Sequence, residues 1–265
     1  SIFGKRFPII GMVHLKPLPG SPGYNGRLDE LIESAIIDAE NLERGGVDGI
    51  MVENLGDYPY FKDPSFPELV ASFTKVIDKI KDRVRVPVGV NVLRNGAKAA
   101  LAIAYVTGCN FIRVNVLTDA YVTDQGIIEG NAAELLRLKK QLMADNIAIL
   151  ADIRVKHAAP LAERNTADLA LDALERGGAD ALIVTGRRTG LPPTPEEIKE
   201  IKSVGPTMIG SGLNENNLKE LLPLADGAIV GTYFKEADIW SPVSYEKVRK
   251  FMKMVEALRA KYGNS

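Results

Sequence analysis

The chain has 265 residues, of which 46% are hydrophobic and 25% are charged. This length suits one large α/β domain, and the composition excludes a disordered, collagen-like or coiled-coil chain. The 33 basic and 34 acidic side chains leave a formal net charge of -1. Because no excess of positive charge is present, the sequence predicts no binding to nucleic acid.

Cysteine content and hydropathy predict the cellular setting. Cys109 is the single cysteine, so no disulfide can form within the chain, which is typical of a reducing compartment. No long apolar segment follows the positive charges near the N-terminus. Elsewhere in the sequence, no apolar segment reaches the roughly 18 residues that a membrane helix needs. We therefore expect a cytoplasmic protein without a membrane span.

Short apolar segments of strand length alternate with longer segments of helical periodicity along the whole chain. Eight candidate strands are rich in Val and Ile, as buried parallel strands should be. They cover residues 8–13, 49–53, 86–92, 111–116, 148–155, 181–184, 207–209 and 227–230. The first helix is predicted over 28–44 and ends at Gly45 and Gly46. Further helices are predicted over 169–176, after the cap residue Asn214, and over 243–261.

Eight alternating units of about 33 residues predict a single (β/α)8 barrel, the TIM barrel, over residues 1–265. An open doubly wound sheet would usually have six strands. In such barrels the carboxyl ends of the strands meet at one mouth, where active sites lie, and the opposite end mainly serves stability. The position of a polar residue within its unit therefore indicates its role.

Side chains able to bind a substrate or to move protons stand at the carboxyl ends of the first five strands. They are His14, Glu53, Asn54, Asn91, Arg94, Arg113, Asn115, Asp152, Lys156 and His157. Charges at such positions are costly unless they are paired or used. We favour a functional site over a purely structural ion-pair network, although a single pair such as Asp152 with Arg113 could be structural.

The fifth strand carries the most regular charge pattern. Asp152, Arg154 and Lys156 alternate with apolar residues, so period-two alternation places the three charges on one face. Because the apolar face must meet the helices, we expect the charged face to point into the barrel or its mouth.

The ends of the last two strands predict a phosphate site. The seventh is followed by Gly210, Ser211 and Gly212, and the eighth by Gly231 and Thr232. Backbone N–H groups in these two loops form the recurrent phosphate site of TIM barrels. Lys235 could add a positive charge. The alternative is that these glycines only form tight turns.

Two loops could shape the mouth. The first, over 14–27, is stiffened by proline and could cover the mouth as a lid. The second, over 54–66, carries Tyr58, Tyr60 and Phe61, which could form an aromatic wall or an oligomer contact.

The sixth strand leads into Thr185, which we expect to contact substrate, and then Arg187 and Arg188, which could clamp an anion or lie in solvent.

No cofactor is predicted, because the sequence has no zinc-binding motif or P-loop and contains only two histidines. Glu53 and Asp152 could still hold Mg²⁺ together with a substrate phosphate.

Several long motifs resemble those of the BtpA/SgcQ family. They are GMVHLKPLPGSP at 11–22, ENLGDYP at 53–59, PVGVNVLRN at 87–95, FIRVNV at 111–116 and KHAAPL at 156–161. The resemblance continues through 184–186, 210–212 and 226–232 and covers nearly the whole chain. It implies an aldolase-type TIM barrel akin to the ribulose-phosphate-binding barrels. Some members are linked to photosystem I biogenesis, and others accompany sugar metabolism and carry a nucleosidase label.

One segment differs from the usual family pattern. Where the family has Asp-Val-x-Val-Lys-His, this chain has Asp152-Ile-Arg-Val-Lys-His. Arg154 fills the variable position, so the resemblance does not assign it a shared function.

Taken together, the sequence favours an enzyme that acts on a small phosphorylated, sugar-like metabolite by isomerase or aldolase chemistry. Glu53, Asp152, Lys156 and His14 are the predicted catalytic residues, with Lys156 stabilising an enediolate or forming a Schiff base. A nucleosidase, with Glu53 or Asp152 stabilising an oxocarbenium-like transition state, stays open. So does a noncatalytic assembly factor that binds a protein partner. We also expect a homo-oligomer.

Overall fold

The apolar segments form parallel strands that close into a barrel in a computed structural model, which describes residues 2–154, 157–187 and 190–263. The strands are β1 (Ile9–His14), β2 (Gly49–Glu53), β3 (Val88–Asn91), β4 (Phe111–Val114), β5 (Ala120–Thr123), β6 (Gly126–Glu129), β7 (Ala148–Ile153), β8 (Ala158–Pro160), β9 (Ala181–Val184), β10 (Thr207–Ile209) and β11 (Gly227–Val230). The barrel order is β1, β2, β3, β4, β7, β9, β10 and β11, with β11 paired to β1. This confirms the predicted (β/α)8 fold.

Helices surround the barrel and follow the predicted alternation. They are α1 (Leu28–Gly45), α2 (Pro67–Lys81), α3 (Ala97–Thr107), α4 (Ala132–Gln141), α5 (Thr166–Glu175), α6 (Pro195–Lys202), α7 (Leu218–Leu221) and α8 (Tyr245–Tyr262). The seventh helix is shorter than expected, because the residue that precedes it is Asn217 rather than Asn214. The Asn214 side chain instead accepts hydrogen bonds from the backbone N–H groups of Asn216 and Asn217, in a turn before α7. Among the described helices, none has an apolar segment long enough to cross a membrane.

The barrel interior changes from apolar to polar toward the mouth. Its lower part is a buried cluster of Ile10, Met12, Met51, Phe111, Leu150, Ile183, Met208 and Ile229. On β1, β2 and β3 the residues that end the strands, His14, Glu53 and Asn91, stand at the same level in the ladder. Since alternate side chains of a strand share a face, the polar residues lie directly above the apolar cluster.

The strand predicted over 148–155 ends at Ile153, because the backbone of Arg154 adopts a positive φ of 56°. The period-two alternation stops there. The Arg154 side chain is exposed and donates hydrogen bonds to the Thr166 hydroxyl and the Arg164 carbonyl. The prediction that Arg154 shares an inward face with Asp152 is therefore wrong.

A small antiparallel sheet, which we call the roof sheet, lies at the mouth and was not predicted. It consists of the hairpin β5–β6, inserted between β4 and α4, and β8, which pairs with β5. Tyr121 and Ile128 pack with Val116 in a small buried cluster of their own. The roof sheet is therefore a packed element rather than an open loop.

The start of the loop after β1 packs against the loop after β2. Its Leu15 and Leu18 are buried, and the Leu18 backbone N–H donates to the Asp57 carboxylate in the loop after β2. The Gly56 backbone N–H donates in turn to the Leu15 carbonyl. The two loops therefore brace each other, and a lid formed by residues 14–27 stays a prediction.

Candidate functional site

A cavity of about 900 Å³ opens at the mouth of the barrel. Most of the predicted site residues line it: His14, Glu53, Arg94, Arg113, Asn115, Asp152, His157, Thr185, Gly210, Ser211, Gly212, Gly231 and Thr232. Residues from all eight barrel strands and their following loops thus converge on one space, as expected for the active end of a TIM barrel. Its size lies within the range of small-molecule sites.

Two of the predicted residues that the structure describes, Asn54 and Asn91, are not among those that line the cavity. The Asn54 side chain is fully buried, where its Oδ1 accepts the Leu93 backbone N–H at 2.7 Å and its Nδ2 donates to Asp57. These bonds hold two loops together, so the prediction that Asn54 binds substrate gives way to a structural role. Asn91 lies beneath the cavity wall and donates to the Asn115 side chain at 3.1 Å. Lys156 lies outside the described residues.

The best-formed polar contact joins β4 to β7. Arg113 donates to both carboxylate oxygens of Asp152, from Nη2 at 2.9 Å and from Nε at 3.3 Å. Asn115 donates to Oδ2 of the same carboxylate at 2.7 Å. With three donors on it, the Asp152 carboxylate is positioned to hold the guanidinium in the cavity wall.

Arg113 keeps its positive charge although it is nearly buried. Burial alone would lower its pKa, but the charges of Asp152 and Glu53 and the hydrogen bonds that Arg113 donates to Asp152 outweigh that effect and raise the pKa above its usual value. A fixed cation therefore stands between the two carboxylates of the site.

His14 and Glu53 approach each other on neighbouring strands, with 4.0 Å between Nε2 and Oε1. Burial, with the positive charges of Lys235 and Arg113, lowers the pKa of His14 to about 3. The imidazole is therefore neutral at physiological pH, and the contact is not an ion pair. Its Nδ1 is buried and has no hydrogen-bond partner among the described residues.

The segments 210–212 and 231–232, which we call the glycine cradle, lie side by side on the cavity wall because β10 pairs with β11. Within the described residues, the backbone N–H groups of Ser211, Gly212 and Thr232 donate to no other group. A Cβ on Gly231 would lie 3.1 Å from the His14 ring, which brings the cradle next to the imidazole. These N–H groups are the donors that an anion uses at such loops.

Two predicted sources of positive charge do not reach the cradle. Lys235 is buried, 3.9 Å from the Asp38 carboxylate, and does not line the cavity. The Arg187 side chain is almost fully exposed and lies 3.9 Å from Glu197 on α6. Arg188 lies outside the described residues. Of the described lysines and arginines, Arg94 and Arg113 are the two that line the cavity.

Sequence reasoning missed the residues that close the cavity from above. Asp124 and Gln125, at the turn of the β5–β6 hairpin, line it, as do Leu55 and Leu93. The signal was present: two β-branched segments flank Asp124, Gln125 and Gly126, a pattern typical of a tight hairpin.

Only part of the expected aromatic wall faces the cavity. Tyr60 lines it and donates from its hydroxyl to the Leu55 carbonyl at 2.6 Å. Tyr58 and Phe61 are exposed, at 59% and 67%.

A metal site would need several acidic, thiol or imidazole side chains close together. Among the described residues, no group of three or more His, Cys, Asp or Glu side chains is placed to hold a metal ion. Binding of Mg²⁺ by Glu53 and Asp152 with a substrate phosphate remains a prediction.

A model of the BtpA family matches residues 5–257. The chain belongs to the BtpA family. An uncharacterised relative from Pyrococcus horikoshii is 47% identical over 95% of this chain and 97% of its own length. The photosystem I biogenesis protein BtpA of Synechocystis is 45% identical over 99% of this chain and 93% of its own length. The resemblance found in the motifs is confirmed.

The fold of this BtpA-family chain also matches solved enzymes at low identity. Phosphoribosyl anthranilate isomerase from Thermus thermophilus superimposes with a TM-score of 0.60 and 13% identity, over 96% of this chain and 100% of that one. At this identity the similarity confirms the TIM-barrel fold alone.

Proposed function

We propose that this protein is an enzyme that binds a small phosphorylated, sugar-like metabolite and moves a proton beside its carbonyl group, as in isomerisation or aldol cleavage. The observation that carries the proposal is the placement of the glycine cradle and the Glu53 carboxylate in one cavity, with His14 between them. A phosphate held at the cradle would leave the rest of the ligand extending toward Glu53.

Glu53 is the proposed base. Its carboxylate lines the cavity beside the neutral imidazole of His14, with 4.0 Å between Oε1 and Nε2. Its carboxylate would take a proton from the carbon next to the carbonyl, and the electron pair would move to the carbonyl oxygen to form an enediolate. In isomerisation the proton would then return to the former carbonyl carbon, while the hydroxyl proton of the neighbouring carbon passes to the former carbonyl oxygen and leaves a new carbonyl group behind.

The negative charge that forms on the carbonyl oxygen needs a partner. The Arg113 cation, held in place by Asp152, and the neutral imidazole of His14, which lines the same cavity, are the groups proposed to stabilise it. Asp152 is therefore proposed to position Arg113 rather than to transfer a proton. Lys156 is not needed for this mechanism.

The proposal is tested by thermal shift of the purified protein against inorganic phosphate, sugar phosphates, the matching free sugars and nucleosides. A ligand that binds only the folded state raises the Tm, by roughly 5 °C at about 100 times its Kd. We expect stabilisation by sugar phosphates and little by free sugars. Nucleosides that stabilise the protein without any effect of sugar phosphates would contradict the proposal and favour glycosidic chemistry.

A variant in the glycine cradle tests whether sugar phosphates bind at this site. Ser211→Ala should reduce the shift caused by sugar phosphates, because the hydroxyl at the cavity wall is lost. Ser203→Ala removes an exposed hydroxyl that bonds to the Glu200 carbonyl just beyond α6, and it serves as the matched control with an unchanged shift. Equal shifts in both variants would place the phosphate elsewhere.

The assembly-factor alternative draws on the name of the Synechocystis relative. A relative of similar identity from Pyrococcus horikoshii carries no such name. The assembly-factor alternative predicts that no ligand in the thermal-shift panel raises the Tm.

A further inference from the structure

Two asparagines at the ends of neighbouring strands form a chain of hydrogen bonds that runs to Asp152. Asn91 ends β3, and Asn115 directly follows the last residue of β4. Nδ2 of Asn91 donates to Oδ1 of Asn115 at 3.1 Å, and Nδ2 of Asn115 donates to Oδ2 of Asp152 at 2.7 Å. All three side chains are buried. Because Asp152 also accepts both bonds from Arg113, the chain connects Asn91 with the guanidinium in the cavity wall.

The acceptors at the two ends of the chain give its hydrogen bonds one direction. A carboxylate and a backbone carbonyl accept hydrogen bonds and cannot donate them. The Asp152 carboxylate therefore faces the Asn115 nitrogen, which turns the Asn115 oxygen toward Asn91. The backbone carbonyl of Arg113 accepts from Nδ2 of Asn91 at 3.3 Å, so this nitrogen faces the same side as the Asn115 oxygen. Both ends thus require the same orientation of the two amides.

This direction matters for Arg113. The oxygen and the nitrogen of an amide have nearly the same shape, so hydrogen bonds rather than packing decide which of them faces a neighbour. If the Asn115 oxygen faced Asp152, two acceptors would meet and the carboxylate would lose its donor at 2.7 Å. A shift of that carboxylate would also move the guanidinium that it holds. The bond from Asn91 to the Asn115 oxygen stabilises the orientation in which this does not happen.

We propose that Asn91 is a positioning residue for the reaction, which holds the Asn115 amide with its nitrogen toward Asp152 and thereby fixes where the Arg113 guanidinium meets the substrate. This inference rests on the proposed function, which assigns Arg113 to the carbonyl oxygen. Asn91 does not line the cavity, so it acts through its neighbours. The glycine cradle follows β10 and β11, three or four places around the barrel from β3 and β4, so phosphate binding should not depend on the chain.

Asn91→Asp tests the positioning role. It keeps the size of the side chain, but a carboxylate at position 91 accepts the Asn115 nitrogen and so turns the Asn115 oxygen toward Asp152. The readout is hydrogen exchange in D2O on dihydroxyacetone phosphate, ribulose 5-phosphate and fructose 6-phosphate at saturating concentrations. Exchange should slow by roughly 10- to 100-fold, since a displacement of about 1 Å at a catalytic group can cost 100-fold. The affinity for inorganic phosphate, measured by titration, should be unchanged.

The loss should also depend on pH, because the new carboxyl group can still donate a hydrogen bond while it is neutral. Relative to the wild type, exchange by Asn91→Asp should therefore fall further as the pH rises. Asn110→Asp is the matched control, since Asn110 is half-buried just before β4, at the opposite end of that strand, and does not line the cavity. It should exchange and bind phosphate as the wild type does at each pH.

A swap of the two end groups tests the direction of the chain. Asn91→Asp/Asp152→Asn exchanges the amide and the carboxylate without a change in size or net charge, and Asn115 can then donate to position 91 and accept from position 152. The swap should unfold at a higher urea concentration than either single variant, although its exchange stays slow because Arg113 has lost its carboxylate. A swap that is no more stable than both single variants would overturn the inference.

The effect of charge is separated by repeating the urea comparison in an Asn115→Leu background, which breaks the chain. The advantage of the swap should disappear there. If it stays in full, charge alone couples the two positions and the inference is overturned. If these proteins are too unstable to compare, the exchange assay decides.

The exchange assay also separates this inference from the proposed function. If the wild type exchanges a ketose phosphate and Asn91→Asp does so at the same rate at every pH, the inference is overturned and the proposed function stands. Weaker binding of inorganic phosphate by Asn91→Asp would also overturn it, because the variant would then have disturbed the whole cavity. If the wild type exchanges none of the three, both the proposed function and the positioning role fail.

Discussion

The carboxylate of Asp152 holds the guanidinium of Arg113 through two hydrogen bonds, at 2.9 and 3.3 Å, between adjacent strands of the barrel. Both side chains are nearly buried, with 3% of Asp152 and 11% of Arg113 exposed. In such a pair each charge compensates the cost of burying the other, so removal of one partner affects both stability and the site.

Asp152→Ala should lower the free energy of unfolding by about 3 to 5 kcal/mol, because the charge of Arg113 stays buried without its main partner. The double variant Arg113→Met/Asp152→Leu should recover most of that loss while ligand binding stays impaired. Urea unfolding measures the first effect and titration with sugar phosphates the second. Glu134→Gln, which breaks an exposed pair with Lys98, is the control and should cost at most about 1 kcal/mol. A loss no larger than this in Asp152→Ala would show that the buried pair does not stabilise the barrel.

The low pKa of His14 makes stability depend on pH. Between pH 6.5 and about 3 the unfolded chain binds a proton at this residue and the folded chain does not, so the free energy of unfolding falls as the pH falls through this window. Between pH 7 and pH 5 the expected contribution is a loss of about 2 kcal/mol. Above pH 7 His14 has no effect, because it is neutral in both states.

His14→Gln removes the titrating imidazole. Comparison with the wild type therefore separates the pH effect of His14 from that of the carboxylates. Unfolding by urea at a series of pH values should give a steeper decline for the wild type than for the variant. Parallel curves for the two proteins would mean that His14 is protonated equally in the folded and unfolded states, contrary to its burial beside two cations.

Gly212→Ala tests the packing behind the glycine cradle. The residue has a φ of +79°, and a Cβ there would lie 2.2 Å from the Pro192 backbone nitrogen. Gly26→Ala is the matched control, with a φ of +83° and open space around it. Gly26→Ala should cost about 1 to 2 kcal/mol from backbone strain alone, and Gly212→Ala clearly more. Equal losses in thermal or urea unfolding would show that the loop after β9 does not pack against the cradle.

The barrel and the lining of the mouth were predictable because both follow from period-two patterns. His14, Glu53 and Arg113 end or follow apolar segments, and parallel strands bring such positions together. The structural role of Asn54 was not predictable, since its partner Leu93 lies in another loop. Lys235 was misplaced because its sequence position after β11 does not reveal that its side chain turns toward Asp38 on α1.

The roof sheet shows a different limit. Its hairpin has a recognisable turn around Gln125, but its third strand, β8, joins it through a contact between loops that are far apart in the sequence. A period in the sequence predicts an element and the face that it buries, whereas pairing between loops depends on the completed barrel.

The central claim, that Glu53 moves a proton on a bound sugar phosphate, is tested most directly by hydrogen exchange in D2O. Ketose and aldose phosphates with three to six carbons are incubated with the wild type and with Glu53→Gln, and loss of the carbon-bound proton beside the carbonyl is followed by proton NMR. We predict exchange with the wild type and none with Glu53→Gln, although the variant should still bind the phosphate group at the cradle. Exchange at equal rates in both proteins, or none in a sugar phosphate that the wild type binds, would contradict the account.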